Sequence, residues 1–196
     1  HAWLQSWHIQ LLRPISCRNS IRVLQDSRKA PSITEVFIDE FCFSTPRIIE
    51  HVLTGGVEFL VSLGTTGESV TISEEEQRQI LDFTIKVNRG RAPLVAGVFG
   101  SNNTRALVEK VKNFNFEGID ALLSSNPSYS KPGQEGIFQH YMALAEESPR
   151  PIIIYNVPSR TASNMTAETT LRLANASDKF LGIKEASDDI YQVIKI

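Results

Sequence analysis

A chain of 196 residues, 41% hydrophobic and 21% charged, can bury the core of one ordinary domain, which excludes disorder along its whole length. Its formal net charge of −2 offers nothing to attract nucleic acid or an anionic membrane surface. No apolar run approaches the roughly 20 residues needed to cross a bilayer, so the expectation is a soluble, cytoplasmic protein that handles small molecules.

Residues 1–47 form an atypical N-terminal segment. Through position 34 it holds five basic residues (Arg13, Arg18, Arg22, Arg28 and Lys29) against one acid, Asp26. A transit peptide, an unstructured leader and a cloning scar all share that composition. Trp3, Trp7, Ile9, Leu11 and Leu12 would equally serve a docked terminal strand or helix. Cys17 and Cys42 lie 25 positions apart with no CxxC spacing and no histidine cluster, and so read as reduced thiols rather than a metal site or a disulfide.

From about Gly56 the pattern becomes regular. Short apolar runs recur at Val57–Leu63, Leu94–Phe99, Ile119–Leu123, Ile152–Tyr155 and Phe180–Ile183. Most are followed by helical signals. Ser73 and Glu76 form a capping box ahead of Ile80, Thr84 and Val87, which share a helix face, and Gly90 ends that element. Asn102 or Asn103 caps a helix carrying Leu107, Val111 and Phe114. A third helix is predicted from Gln134 to about Glu147, stopped by Pro149 and Pro151. Thr166 caps a fourth, and Ser187 a fifth, with Asp188 and Asp189 suited to its positive end.

Strands alternating with helices imply parallel pairing, in either an open doubly wound sheet or a closed eight-stranded barrel. Gly64-Thr65-Thr66-Gly67 lacks the spacing of a dinucleotide-binding GxGxxG, and no GxxxxGK[ST] occurs. Polar residues cluster instead at the ends of several strands, where barrel enzymes keep their chemistry, so the expected fold class is an α/β (β/α)8 TIM barrel. Five units are legible where a barrel of about 250 residues has eight, so the barrel reads as incomplete, with an atypical first strand and the last two units lacking.

Three segments carry candidate chemistry. Lys184 ends the apolar run Phe180-Leu181-Gly182-Ile183, where desolvation favours the neutral amine that attacks a carbonyl and forms a Schiff base. A lysine ending a strand and reaching solvent is the plain alternative. Tyr155 ends the aliphatic run at Ile152, 29 positions before Lys184, so in a barrel the two share one end on adjacent strands. It is either a proton carrier or a buried tyrosine with a satisfied hydroxyl. Arg160, on the adjoining loop, is placed to grip a carboxylate or simply to face water. Gly64-Thr65-Thr66-Gly67-Glu68-Ser69 offers hydroxyls and N–H groups to a carboxylate, or is a self-satisfied turn.

GTTGES at 64–69, YNVPSRT at 155–161 and GIKEAS at 182–187 together resemble the dihydrodipicolinate synthase family, within the pyruvate-dependent class I aldolases that include N-acetylneuraminate lyase; the resemblance runs from about His51 to Ile196. It implies a barrel lyase of lysine biosynthesis that condenses pyruvate with aspartate semialdehyde. By motif position, Lys184 would form the Schiff base and Tyr155 would shuttle protons. Thr65 would link Tyr155 to Tyr129 in a relay, with Tyr129 reaching into a neighbouring subunit of a homodimer or homotetramer. Thr66 would hold the pyruvate carboxylate and Arg160 that of the second substrate. An iminium is itself an electron sink, so the resemblance implies no metal or organic cofactor. Arg160 favours the synthase over sister enzymes acting on sugar acids.

Two departures set alternatives. Thr45-Pro46 lies too close to the following helix to match the family's opening element, and the seventh and eighth strands find no counterpart. A non-catalytic fragment acting by association with intact subunits is therefore a reading from another class, beside the sugar-acid aldolase. Positions that hold histidines and a second tyrosine in lysine-sensitive members hold Glu74, Gln77 and Ser128 here, which predicts weak or absent inhibition by lysine.

Overall fold

The apolar runs from Val57 onward are rich in β-branched residues and too short for buried helices, and each folds as a strand. A computed structural model describes residues 8–11, 35–36 and 45–196. Cys17, Cys42, Trp3, Trp7, Leu12 and the basic residues from Arg13 to Lys29 lie outside the described residues. In chain order the elements are β1 (His8–Leu11), β2 (Glu35–Val36), α1 (Thr45–Thr54), β3 (Leu60–Ser62), α2 (Glu74–Asn88), β4 (Leu94–Ala96) and α3 (Thr104–Asn113). They continue with β5 (Ala121–Ser125), α4 (Gln134–Glu147), β6 (Ile152–Asn156), α5 (Pro158–Thr161), α6 (Ala167–Ala176), β7 (Phe180–Glu185) and α7 (Ile190–Lys195).

The chain divides into two units. One comprises Ile15–Phe99 with Asn115–Ser124. Its strands β2, β3, β4 and β5 run parallel, with Glu35 opposite Val61, Leu60 opposite Leu94 and Val95 opposite Ala121. Leu60, Val61, Leu81, Leu94 and Val95 are fully buried, and Phe99 stacks on Phe116 with ring centroids 5.7 Å apart. The parallel partner of β3 thus comes from within the atypical N-terminal segment, where the first strand was expected.

The other unit comprises His1–Pro14, Gly100–Phe114 and Ser125–Ile196. Here β6 and β7 run parallel, and β1 pairs antiparallel on the opposite edge of β7, with Ile9 facing Lys184. The terminal apolar residues therefore include a docked strand rather than a helix. Leu107 and Val111 of α3, Ile137, Tyr141 and Leu144 of α4, and Phe180 of β7 are buried in this unit.

Helix signals translate with three corrections. The capping box is present: Ser73 Oγ accepts from the Glu76 N–H at 3.3 Å, and Glu76 Oε2 accepts from the Ser73 N–H at 2.8 Å. The buried face of α2, however, is Gln77, Leu81, Thr84 and Asn88; Ile80 and Val87 are only half-buried. The helix turns out at Arg89 (φ 52°), one residue before Gly90, because the Asn88 side chain closes the end by donating to the Ala92 carbonyl at 2.7 Å. The last helix is capped by Asp189 and not Ser187. Ser187 is still in the turn, its N–H donating to Glu185 Oε1 at 2.8 Å, while Asp189 Oδ1 accepts from the Tyr191 N–H at 2.9 Å.

Candidate active site

Two aliphatic strands set the geometry. β6 is buried along its whole length, and β7 at every position but Leu181. They begin in step, Ile152 opposite Phe180, but a bulge then places Ile153 opposite Gly182. The extra residue carries the register forward by one, so Tyr155 faces Lys184 and Asn156 faces Glu185. Without it Tyr155 would face Ile183, and a one-residue slip sends a side chain to the other face of a sheet.

Lys184 is 1% exposed, and its Nζ lies 4.5 Å from the centroid of the Tyr155 ring, which is itself 4% exposed. The amine does not reach solvent in the manner of a strand-ending lysine. A ring face this close to Nζ orients the amine at the strand end.

Behind this pair lies a second one. Asn156 Nδ2 donates to the Glu185 carboxylate at 3.0 Å and to Asn164 Oδ1 at 2.8 Å. Asn156 Oδ1 accepts from Asn126 Nδ2 at 2.8 Å and from the Met165 N–H at 3.0 Å. The Tyr141 hydroxyl donates to Asn126 Oδ1 at 3.1 Å, and full burial pushes that phenol far above its ordinary range. Nearby on α4, His140 is buried with Nδ1 2.8 Å from Thr104 Oγ1 and Nε2 without a partner; desolvation lowers its pKa to about 4.

The other candidates of this unit sit at its surface. Arg160 is exposed on α5, a four-residue turn that Pro158 opens. Tyr129 is 91% exposed and held in the left-handed region (φ 63°), its N–H donating to the Thr161 carbonyl at 3.2 Å. That bond ties the Tyr129 loop to the turn that bears Arg160.

Thr65 and Thr66 belong to the other unit. They lie in the turn after β3, where Thr65 is half-buried and Thr66 exposed. The turn is closed by the Gly67 N–H donating to the Gly64 carbonyl and the Glu68 N–H to the Thr65 carbonyl, each at 3.1 Å. Gly97 allows it to form: a Cβ there would meet the Leu63 carbonyl oxygen at 2.5 Å and the Gly64 nitrogen at 2.7 Å. Gln77, at one of the positions read for lysine sensitivity, is buried and donates to the Ser69 carbonyl at 2.8 Å.

The structure thus brings Lys184 and Tyr155 together, joins Tyr129 and Arg160 through one loop contact, and sets Thr65 and Thr66 on a separate turn. Sequence reasoning missed Asn156, Glu185, Asn126 and Gln192; the available signal was two polar residues directly following the two motif residues on buried strands. Among the described residues no cluster of three or more His, Cys, Asp or Glu could hold a metal ion, and no helix is long and apolar enough to cross a membrane.

A family model described as the dihydrodipicolinate synthetase family matches residues 38–196, beginning further toward the N-terminus than the motifs do. A 4-hydroxy-tetrahydrodipicolinate synthase from Flavobacterium psychrophilum is 51% identical over 150 residues, covering 76% of this chain and 51% of its own. A dihydrodipicolinate synthase from Thermotoga maritima superposes with a TM-score of 0.76 at 35% identity, over 82% of this chain and 56% of the other. A chloride-inhibited dihydrodipicolinate synthase from Acinetobacter baumannii, solved in complex with pyruvate, superposes with a TM-score of 0.70 at 40% identity, over 75% of this chain and 50% of the other. These likenesses place the parallel α/β architecture in the TIM-barrel class. The chain spans about half the length of the curated relatives it matches.

Proposed function

The chain belongs to the dihydrodipicolinate synthetase family, and on that premise we propose that residues 48–196 carry the Schiff-base chemistry of a lyase joining pyruvate to aspartate semialdehyde. The product is 4-hydroxy-tetrahydrodipicolinate, on the route to diaminopimelate and lysine. The observation that carries this reading is the buried Lys184 amine 4.5 Å from the Tyr155 ring, at the ends of adjacent parallel strands.

Lys184 Nζ attacks the keto carbon of pyruvate. Tyr155 delivers the proton with which the carbinolamine oxygen leaves as water, and an iminium remains. The iminium withdraws electrons from the methyl group, whose proton is lost to give an enamine. The enamine carbon then adds to the aldehyde carbon of the semialdehyde, and a proton moves to the new alkoxide. Attack of the substrate's own amine on the imine carbon closes the ring and frees Lys184. Positioned proton transfer of this kind contributes about 10²–10⁴-fold, which is the share assigned to Tyr155.

By its motif position Arg160 takes the carboxylate of the semialdehyde. The exposure of Tyr129 supports its use by a neighbouring copy, in a dimer or tetramer. The exposed Arg160 guanidinium supports recognition of a second carboxylate.

The test is consumption of pyruvate followed by NMR with and without aspartate semialdehyde, for the chain and for Arg160→Ala. Consumption that requires the semialdehyde and falls about 10²-fold in the variant supports the synthase. Equal consumption with a sugar-acid aldehyde, unaffected by the variant, would show the sister aldolase instead.

A further inference from the structure

Alternation along a strand sends neighbouring side chains to opposite faces. On β6 and β7 it separates two cross-strand pairs, Tyr155 with Lys184 on one face and Asn156 with Glu185 on the other. The second pair is as buried as the first, at 0% and 6% exposure, yet the Schiff-base chemistry makes no use of it.

The Glu185 carboxylate accepts from Asn156 Nδ2 at 3.0 Å, from Gln192 Nε2 at 3.0 Å and from the Ser187 N–H at 2.8 Å. All three donors are neutral, so the carboxylate is held by directed hydrogen bonds and not by an ion pair with them. The same Asn156 Nδ2 also donates to Asn164 Oδ1, while Asn156 Oδ1 accepts from Asn126 Nδ2 and the Met165 N–H. Each acceptor meets a donor in a single arrangement, and any slip of β7 past β6 leaves buried polar groups unmatched, which is costly.

We propose that Asn156 and Glu185 are positioning residues that lock the ends of β6 and β7 in the bulge-shifted register and thereby hold the Lys184 amine against Tyr155. The inference rests on the Schiff-base reading above. The bulge creates the register; the polar pair fixes it at the end where the chemistry lies. α7 joins through Gln192, whose amide also exchanges hydrogen bonds with Asn164 at 3.0 and 3.2 Å.

Glu185→Gln keeps the shape but replaces one of the two acceptor oxygens with an N–H donor, which then faces donors the carboxylate had accepted from. Asn156→Asp combined with Glu185→Gln restores a carboxylate and an amide in exchanged places. The rate and pyruvate dependence of borohydride-trapped adduct on Lys184 are measured for the chain, the single variant and the double variant, each checked for fold by circular dichroism. We expect the limiting trapping rate to fall about 10- to 100-fold in E185Q with half-saturation changed less than about three-fold, and to recover most of that loss in N156D/E185Q. Loss of both quantities together, or no rescue in a folded double variant, overturns the positioning role. Trace labelling of Lys184 by acetic anhydride gives a readout that needs no pyruvate. A rate changed at least about three-fold in E185Q and restored in the double variant supports the lock even where the chain traps no pyruvate, an outcome that would overturn only the Schiff-base reading. Labelling rates equal in all three proteins overturn the lock itself.

Discussion

Lys184 Nζ stands 4.5 Å from the Tyr155 ring centroid because β7 carries one residue more than β6 between Phe180 and Gly182. The pairing of amine and phenol is thus a product of register, and register depends on that bulge. Removing the amine while keeping the stem tests its role. Lys184→Met should abolish pyruvate trapping and leave a folded protein, since a buried apolar chain of similar length replaces it. A Lys184→Met protein that still traps pyruvate would move the site to another lysine.

Tyr155→Phe removes only the hydroxyl. Imine formation should slow by about 10²-fold or more, while far-ultraviolet circular dichroism stays unchanged. A rate within a few-fold of the parent would leave Tyr155 as packing for the amine.

The buried His140 links stability to pH. Its folded pKa of about 4 lies below its ordinary value of 6.5, because burial disfavours the cation. Between those two values the unfolded chain binds the proton and the folded chain does not. The associated stability is therefore present in full above pH 6.5 and is lost progressively as pH falls toward 4, by about 3 kcal/mol at most. Urea titrations from pH 7 to 4.5 on the chain and on His140→Gln should show a steeper decline in the chain. Parallel declines would show that His140 is protonated without cost.

At Gly97 two backbone segments of one unit pass close together. A methyl group there would sit 2.5 Å from the Leu63 carbonyl oxygen, and both neighbours are backbone. Gly97→Ala should cost about 2–4 kcal/mol in urea unfolding and displace the Gly64–Gly67 turn. A variant of unchanged stability would show that the strand ends yield freely.

Lysine should inhibit weakly or not at all. Gln77, at one of the positions read for sensitivity, already spends its amide on the Ser69 carbonyl at 2.8 Å, and Glu74 lies in the first turn of α2. An assay in millimolar lysine checks this; strong inhibition would require those side chains to rearrange.

The strands and the paired motif residues were legible because apolar runs of strand length and the 29-position spacing need no tertiary knowledge. α4 was legible to its ends, Gln134 and Glu147, since glycine and proline bracket it. The inner face of α2 was not. Hydrophobicity selects Ile80 and Val87, whereas the fold buries Gln77 and Asn88 to satisfy the carbonyls of Ser69 and Ala92. The Asn156–Glu185 pair was invisible for a related reason: two polar residues on different strands face each other only once the bulge has set the register.

The most direct measurement is mass spectrometry of the purified chain after incubation with pyruvate and borohydride. A single reduced pyruvate on the peptide bearing Lys184 is the expected result, and it would establish a working imine site. A folded chain with no adduct, or with adducts spread over its exposed lysines, would contradict the Schiff-base reading and favour a fragment that acts by association.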